Sequence, residues 1–235
     1  MAHFYPSHDA DSGRTAIDRG LRGYLLQVYN YMAGGLAITG LVAYWGAASG
    51  VYASIAGTPW LWLLLLAPLA LVLLLSFRIE RMSRGAAQLA FWGYAALVGL
   101  SMSGIFLVYT GESIARVFFV SGGTFAATSL YGYTTRADLS RFGSFLFMGL
   151  IGIVLALLVN MFLKSSALQL TVSAIGVFVF VGLTAYDTQR ISRIYIEGEE
   201  ASAAAKRSIL GALALYLDFL NLFWMLLRLM GDRRQ

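Results

Sequence analysis

LALYLDFLNLFWMLLRLM, residues 213–230, is an almost continuous run of hydrocarbon broken in its middle by Asp218 and Asn221. A stretch of about 20 mostly apolar residues is long enough to cross a bilayer as a helix. The rest of the chain reads the same way. Of its 235 residues, 59% are hydrophobic and 12% charged, and the mean hydropathy of +0.71 is far above that of a soluble domain. Hydropathy, with Gly, Pro and charge clusters as breaks, gives seven candidate spans at about 23–48, 59–77, 87–110, 113–132, 142–163, 168–190 and 207–230. The connections are short, which predicts one compact bundle over residues 23–235. The apolar runs are too long for barrel strands and do not alternate, so the expectation is an all-α membrane protein.

The chain has no cysteine, which excludes disulfides, thiolate catalysis and cysteine-ligated metals. Its only histidines, His3 and His8, lie in the polar start MAHFYPSHDADSGRTAIDRG. That start lacks an apolar core followed by a cleavage site, so residues 1–22 read as a flexible cytoplasmic tail that is retained rather than as a signal peptide. The formal net charge is +5, but the arginines cluster at helix ends, where they set orientation, and no nucleic-acid partner is expected. With the N-terminus inside, the cytoplasmic segments hold Arg14, Arg19 and Arg22, then Arg78, Arg81 and Arg84, then Arg136 and Arg141, then Arg190, Arg193, Lys206 and Arg207. Outside fall Arg116, Lys164, and Arg228, Arg233 and Arg234 near the C-terminus. The basic C-terminal end and Asp218 both weaken the seventh span, and a re-entrant seventh segment is the alternative to a full crossing.

Small residues provide the expected packing points. Gly34, Gly35, Gly93, Gly99, Ser103, Gly122, Gly123, Ala126, Ala127, Gly149 and Gly152 are of the kind that lets helix backbones approach where no hydrophobic effect drives association. Trp45, Trp60 and Trp62 flank the first outer loop, at headgroup level.

A carboxylate at mid-bilayer is costed at roughly 3 kcal/mol on insertion scales, so Asp218 is expected to face the bundle interior. Asn221, at i+3, shares its face, whereas Leu217, Leu220 and Phe223 are expected mostly to face elsewhere. A second acid ends the sixth span in VGLTAYDTQRI, where Asp187 has Thr184 at i−3 and Arg190 at i+3. By position alone Asp187 reads equally well as a solvated helix-end acid paired with Arg190. The turn between the two helices is expected near Gly198, which brings Asp187 and Asp218 to similar depth. Two carboxylates meeting in a poorly solvated space share a proton and titrate as a pair. Deprotonated, they offer oxygens to a hard cation such as Ca²⁺, although two carboxylates fall short of the usual six to eight oxygen ligands.

AYDTQRI, followed after a short acidic loop by LYLDFLNLFWMLLRLMG, resembles the closing part of the Bax inhibitor family, also called the transmembrane Bax inhibitor motif family. GYTTRADLSRFGSFLFMGLIG looks like its bacterial branch. The resemblance covers essentially the whole chain after the tail. It implies a seven-transmembrane-helix bundle with the seventh helix near the centre, in a bacterial inner membrane, acting as a pH-sensitive calcium leak. It further implies a hydrogen-bonded pH sensor and gate made of Asp187 and Asp218, also the possible Ca²⁺ ligands, beside which Asn221, Thr184 and Arg190 stand by their spacing as supporting polar groups. An arginine at the cytoplasmic end of helix two is expected to latch onto the helix-six acid, and Arg78 in LLLSFRIERM matches best, with Arg81 next. Some bacterial relatives carry an acid within helix two, where this chain has LLLLAPLALVLLLSF with Ala67 near that place, a departure that bears on cation selectivity.

No catalytic residues and no cofactor are expected, with membrane lipids, protons and calcium ions as the partners. The rival reading is a multi-span regulator that binds a membrane-bound protease complex. An intramembrane aspartyl protease fits the number of acids, but the glycine–aspartate signatures of that class are missing around Asp187 and Asp218. No phosphate loop, zinc-binding His/Glu motif or nucleotide fingerprint supports an ATP-driven pump.

Overall fold

In lipid every backbone N–H and C=O must find its partner within the segment, and a chain this apolar satisfies that demand with helices. The computed structural model describes residues 8–234. The helices are α1 (His8–Ala48), α2 (Val51–Ile55), α3 (Trp60–Arg78), α4 (Arg84–Met102), α5 (Ile105–Val108), α6 (Gly111–Thr134), α7 (Ser140–Leu163), α8 (Ser166–Arg193) and α9 (Ala201–Met230). A 3-10 turn, Ile79–Arg81, extends α3. Where a flexible tail is expected over residues 1–22, the described backbone is helical from His8; residues 1–7 lie outside the described residues. The third expected span is divided: α4 stops at Met102 and α5 resumes at Ile105, with buried Ser103 at the break.

Six segments are long and apolar enough to cross a membrane: Gly20–Ala48, Trp60–Arg81, Arg84–Val108, Ser140–Leu163, Ser166–Arg193 and Ala201–Met230. The protein is thus an all-helical, multi-span membrane protein. The seventh long helix, α6, has 24 residues but does not reach that apolarity, because one face is built of small and hydroxyl residues. Ser113, Val117, Ser121, Phe125, Ser129 and Gly132 form a buried stripe at i+4 and, for the last step, i+3 spacing, while Phe119, Leu130 and Tyr131 point outward. The hydroxyls are satisfied within the helix or by neighbours; Ser121 Oγ donates to Val117 O at 2.8 Å and Thr128 Oγ1 to Thr124 O at 2.7 Å.

The two ends of α6 are tied to opposite ends of the bundle. At its start, the backbone after α9 pairs with the residues before α6: Thr110 N donates to Asp232 O (3.0 Å) and Arg234 N to Val108 O (2.9 Å). Asp232 N donates to Ser113 Oγ (2.8 Å), and Arg116 forms an ion pair with Asp232 (2.6 Å). Past its end, buried Gln189 of α8 accepts from Leu139 N (2.9 Å) and donates to Ala137 O (2.8 Å), and Arg193 meets Asp138 (2.6 Å). The α9 helix is continuous over 30 residues, about 45 Å at the helical rise and longer than a hydrocarbon core of about 30 Å. The re-entrant alternative for the last segment is therefore corrected: nothing breaks the helix at Asp218, because its side chain is accommodated by neighbouring helices.

The α9 helix packs against α1, α4, α6 and α8, while α3 leans on α4 and α7 on α8. Burial follows: 67% of the apolar window of α9 is inside the protein, against 11% for α3 and for α7. Backbones approach most closely at Gly99, where a Cβ would lie 2.6 Å from Thr39 O, and at Gly132, where it would lie 2.9 Å from the Ala185 Cα. Not all the small residues expected at interfaces are there. Gly93, Gly122, Gly123 and Gly152 face open space.

Candidate functional site

The central helix carries a stripe at helical spacing, Ala214, Leu217, Asp218 and Asn221, that lines a cavity of about 520 Å³. Gly143, Ser144, Phe147 and Leu150 of α7 line it from one side, and Phe180, Leu183, Tyr186, Asp187 and Arg190 of α8 from another. Leu217 therefore faces the acids, contrary to expectation, because i and i+1 both fall within a stripe of this width. Leu220 and Phe223 line a separate apolar cavity on another face of α9, as expected.

Asp218 is buried, at 6% exposure, and one of its carboxyl oxygens, Oδ2, has no hydrogen-bond donor among the described residues. The Asp187 and Asp218 carboxyls line the same cavity from neighbouring helices. The structure thus brings together the two acids that are 31 positions apart in sequence, because the α8–α9 turn is tight, with Gly198 in the left-handed region at φ 75°. Arg190 meets Asp187 at 3.9 Å, the outer limit of an ion pair, and its side chain is 65% exposed. Such a pair contributes at most about 1 kcal/mol.

The other expected groups are placed less directly. Asn221 lines the cavity but donates its amide to Leu217 O of its own helix (2.9 Å), not to Asp218. Thr184 is fully buried and donates to Phe180 O (2.8 Å), so it closes a bond within α8 and does not line the cavity. Arg78 is exposed at the end of α3, and the structure does not bring it to Asp187: among the described residues the ion pair on Asp187 is made by Arg190. The reason is architectural, since α3 packs on α4, away from α8. Arg81 makes no recorded ion pair among the described residues either. The cavity offers two carboxylates and one amide, and among the described residues no cluster of three or more His, Cys, Asp or Glu is present. Two carboxylates and one amide fall short of the six to eight oxygens of a resident Ca²⁺.

Three polar features escape a reading of the sequence. Tyr186 lines both this cavity and an adjoining one of about 180 Å³, formed with Ser140, Gln189, Arg190, Arg193 and Ile194. Its ring also lies against Gly143, where a Cβ would be 2.9 Å away. Tyr216, on a different face of α9 from Asp218, hydrogen-bonds Thr39 (2.6 Å), which donates to Ala95 O (2.9 Å). Ser129 links Tyr29 of α1 to Thr188 of α8, the latter at 2.9 Å. Only Tyr186 had a local signal, its place beside Asp187 in AYDTQRI.

A helical membrane bundle whose central helix presents a buried acid to a second acid on its neighbour defines the class: a multi-span membrane protein with an intrabundle carboxyl pair. The family model described as "Inhibitor of apoptosis-promoting Bax1" matches residues 21–235, and the chain belongs to this, the Bax inhibitor family. It is 53% identical over 219 residues to the inner membrane protein YbhL of Escherichia coli, covering 92% of this chain and 94% of that one. It is 46% identical over 224 residues to an uncharacterized protein of Rickettsia prowazekii, covering 95% of each. An uncharacterized protein of Caulobacter vibrioides is 42% identical over 240 residues, with 96% of this chain and 95% of that one covered.

Proposed function

We propose that this protein is a pH-sensitive calcium leak channel of a bacterial inner membrane, gated by Asp187 and Asp218. The observation that carries the reading is the buried Asp218, with an oxygen lacking a donor among the described residues, lining one cavity with Asp187 where α8 and α9 pack. A carboxyl in such a place is expensive to retain unless protonation, pairing or coordination uses it. With one proton shared, the acids hold α8 to α9. When it leaves, repulsion between two like charges favours separation of the helices, and the exposed oxygens receive a hard cation from the cavity. Arg190 competes for Asp187, and Arg78 engages it only in another conformation. Calcium is cargo here, and no cofactor or catalytic step is involved.

In this reading all seven long helices cross the membrane, with the N-terminus in the cytoplasm and the C-terminus outside. The ties at both ends of α6 and the unbroken α9 support the seven crossings, and the arginine distribution supports the orientation.

The test is Ca²⁺ flux into liposomes holding the purified protein, between about pH 6 and 8, for the parent and for Asp218→Asn. Expected is flux that rises with pH in the parent, with lower flux and a flattened pH dependence in the variant. Parent flux equal to that of empty liposomes at every pH overturns the channel and leaves regulation of a membrane protease complex as the function, to be sought by co-purification with protease subunits.

A further inference from the structure

The α1 and α6 helices both pack on α9 but scarcely on each other, and the gap between them is a groove of about 620 Å³. It lies away from the carboxyl pair, which faces α7 and α8. Its walls are apolar and its rims are bare: Leu26 is 54% exposed and Leu130 63%. One end is different in chemistry. There Arg22 of α1 and Tyr133 of α6 stand together at the groove's mouth, a cation and an amphipathic ring of the kind that settle at the membrane–water interface. The deep end is floored by Phe125, Tyr29 and Ser129, the last two hydrogen-bonded to each other.

The dimensions match one leaflet. From Arg22 to Tyr29 along α1, and from Tyr133 to Phe125 along α6, the helical rise gives about 10–12 Å, against about 15 Å of hydrocarbon in one leaflet. A guest that fits must be apolar over that depth and negatively charged at the level of Arg22. An apolar helix from another protein would offer no counter-charge to Arg22, which makes no ion pair among the described residues, and a neutral alkyl chain would not use it. An anionic phospholipid has both parts in the right order, its acyl chain lying between α1 and α6 and its phosphate at Arg22.

We propose that the α1–α6 groove is a binding site for a single anionic phospholipid, with Arg22 as the headgroup residue. The hydrogen-bonded hydroxyls of the floor continue from Ser129 to Thr188 of α8, so the acyl chain ends against groups that the bundle already satisfies.

The test uses the full chain purified in detergent, supplied with equal amounts of phosphatidylglycerol and phosphatidylcholine, with retained lipid counted by native mass spectrometry. Three variants separate the possibilities. Arg22→Gln removes the charge at an exposed position. Ala126→Phe fills the groove from a residue that lines it and is exposed. Arg84→Gln removes an exposed arginine at the start of α4, outside the groove. Expected is one phosphatidylglycerol per parent chain in preference to phosphatidylcholine, a roughly fivefold loss of that retention in Arg22→Gln, its abolition in Ala126→Phe, and parent behaviour in Arg84→Gln. Equal retention of the two lipids overturns the proposal, as does equal loss in Arg84→Gln and Arg22→Gln, which marks a general boundary layer of lipid. A photo-crosslinker at Ala126 that captures residues 1–7 of the same chain, or another protein, in place of lipid also overturns it.

Discussion

Replacing Gly132 by alanine tests the packing that holds the acid-bearing helix in place. A Cβ on Gly132 would press on the Ala185 carbonyl and lie 2.9 Å from the Ala185 Cα and carbonyl carbon, where ordinary contact begins near 3.4 Å. The obstacle is backbone on both sides, so no rotamer change relieves it, and α6 must retreat from α8 by roughly 0.5–1 Å. One helical turn away on the same faces, Ser129 and Thr188 share a 2.9 Å hydrogen bond that this retreat stretches beyond bonding length. Overpacking costs about 1–3 kcal/mol and the lost bond about 1 kcal/mol, while alanine's better helix propensity returns about 0.5–1 kcal/mol, giving a destabilisation of about 1–3 kcal/mol. The control is Gly122→Ala on the same helix, where no atom outside the helix lies within 4 Å and the expected change is a gain of about 0.5–1 kcal/mol from helix propensity. Thermal unfolding in a single detergent, followed by intrinsic fluorescence, should place Gly132→Ala on the order of 3–10 °C below the parent, with Gly122→Ala at or slightly above it. Equal melting of the two variants would refute the close approach of α6 and α8.

Further outcomes follow from named contacts. Gln189→Ala removes both of that side chain's hydrogen bonds to the α6–α7 connection, so trypsin should cut at Arg136 about tenfold faster, with little change in global melting; unchanged cleavage would show that this clamp is not what orders the loop. Asp138, outside the spans, is held down to about 2 by its hydrogen bond from the Ser140 hydroxyl, then by Arg193 and by the Ser140 amide. A depressed carboxyl stabilises the folded state above its ordinary range and loses that contribution as pH falls through the folded value. The Asp138 contacts should therefore persist at pH 4 and fail near pH 2, and a carbon-13 titration should show the midpoint rising more in Ser140→Ala than in Arg193→Gln. Tyr216→Phe deletes the 2.6 Å bond to Thr39 and should cost about 1 kcal/mol, read by the same unfolding experiment, since Thr39 keeps its bond to Ala95 O.

Most of the fold was legible in the sequence because hydropathy in a bilayer acts on each segment separately. The expected spans at 59–77, 142–163 and 168–190 overlie α3, α7 and α8 to within a few residues. The third span stands as one segment, Arg84–Val108, but the interruption at Ser103 inside it costs little hydropathy and so leaves no trace in a window average. The helix α6 shows the opposite case: its buried face is made of serine and glycine for close packing, which lowers its hydropathy while leaving its length intact. Asp218 was legible as an inward-facing group from cost alone. The roles of its neighbours were not. Asn221 and Thr184 sit at the expected spacing, yet each bonds its own helix, because a backbone carbonyl one turn away is always within reach of such side chains.

What the sequence by itself determined is what depends on one segment at a time: that the chain is helical and membrane-embedded, where its long helices lie, and that an acid in the last of them must point inward. What only the tertiary structure decided depends on which helices are neighbours. Asp187 meets Asp218 because α8 and α9 pack side by side around the turn at Gly198, whereas Arg78 is kept away because α3 packs on α4. Cysteine-free and built of interchangeable apolar faces, the sequence carries no covalent or period-based mark of who packs against whom; that is set by small residues such as Gly99 and Gly132, whose effect exists only once a second backbone lies against them.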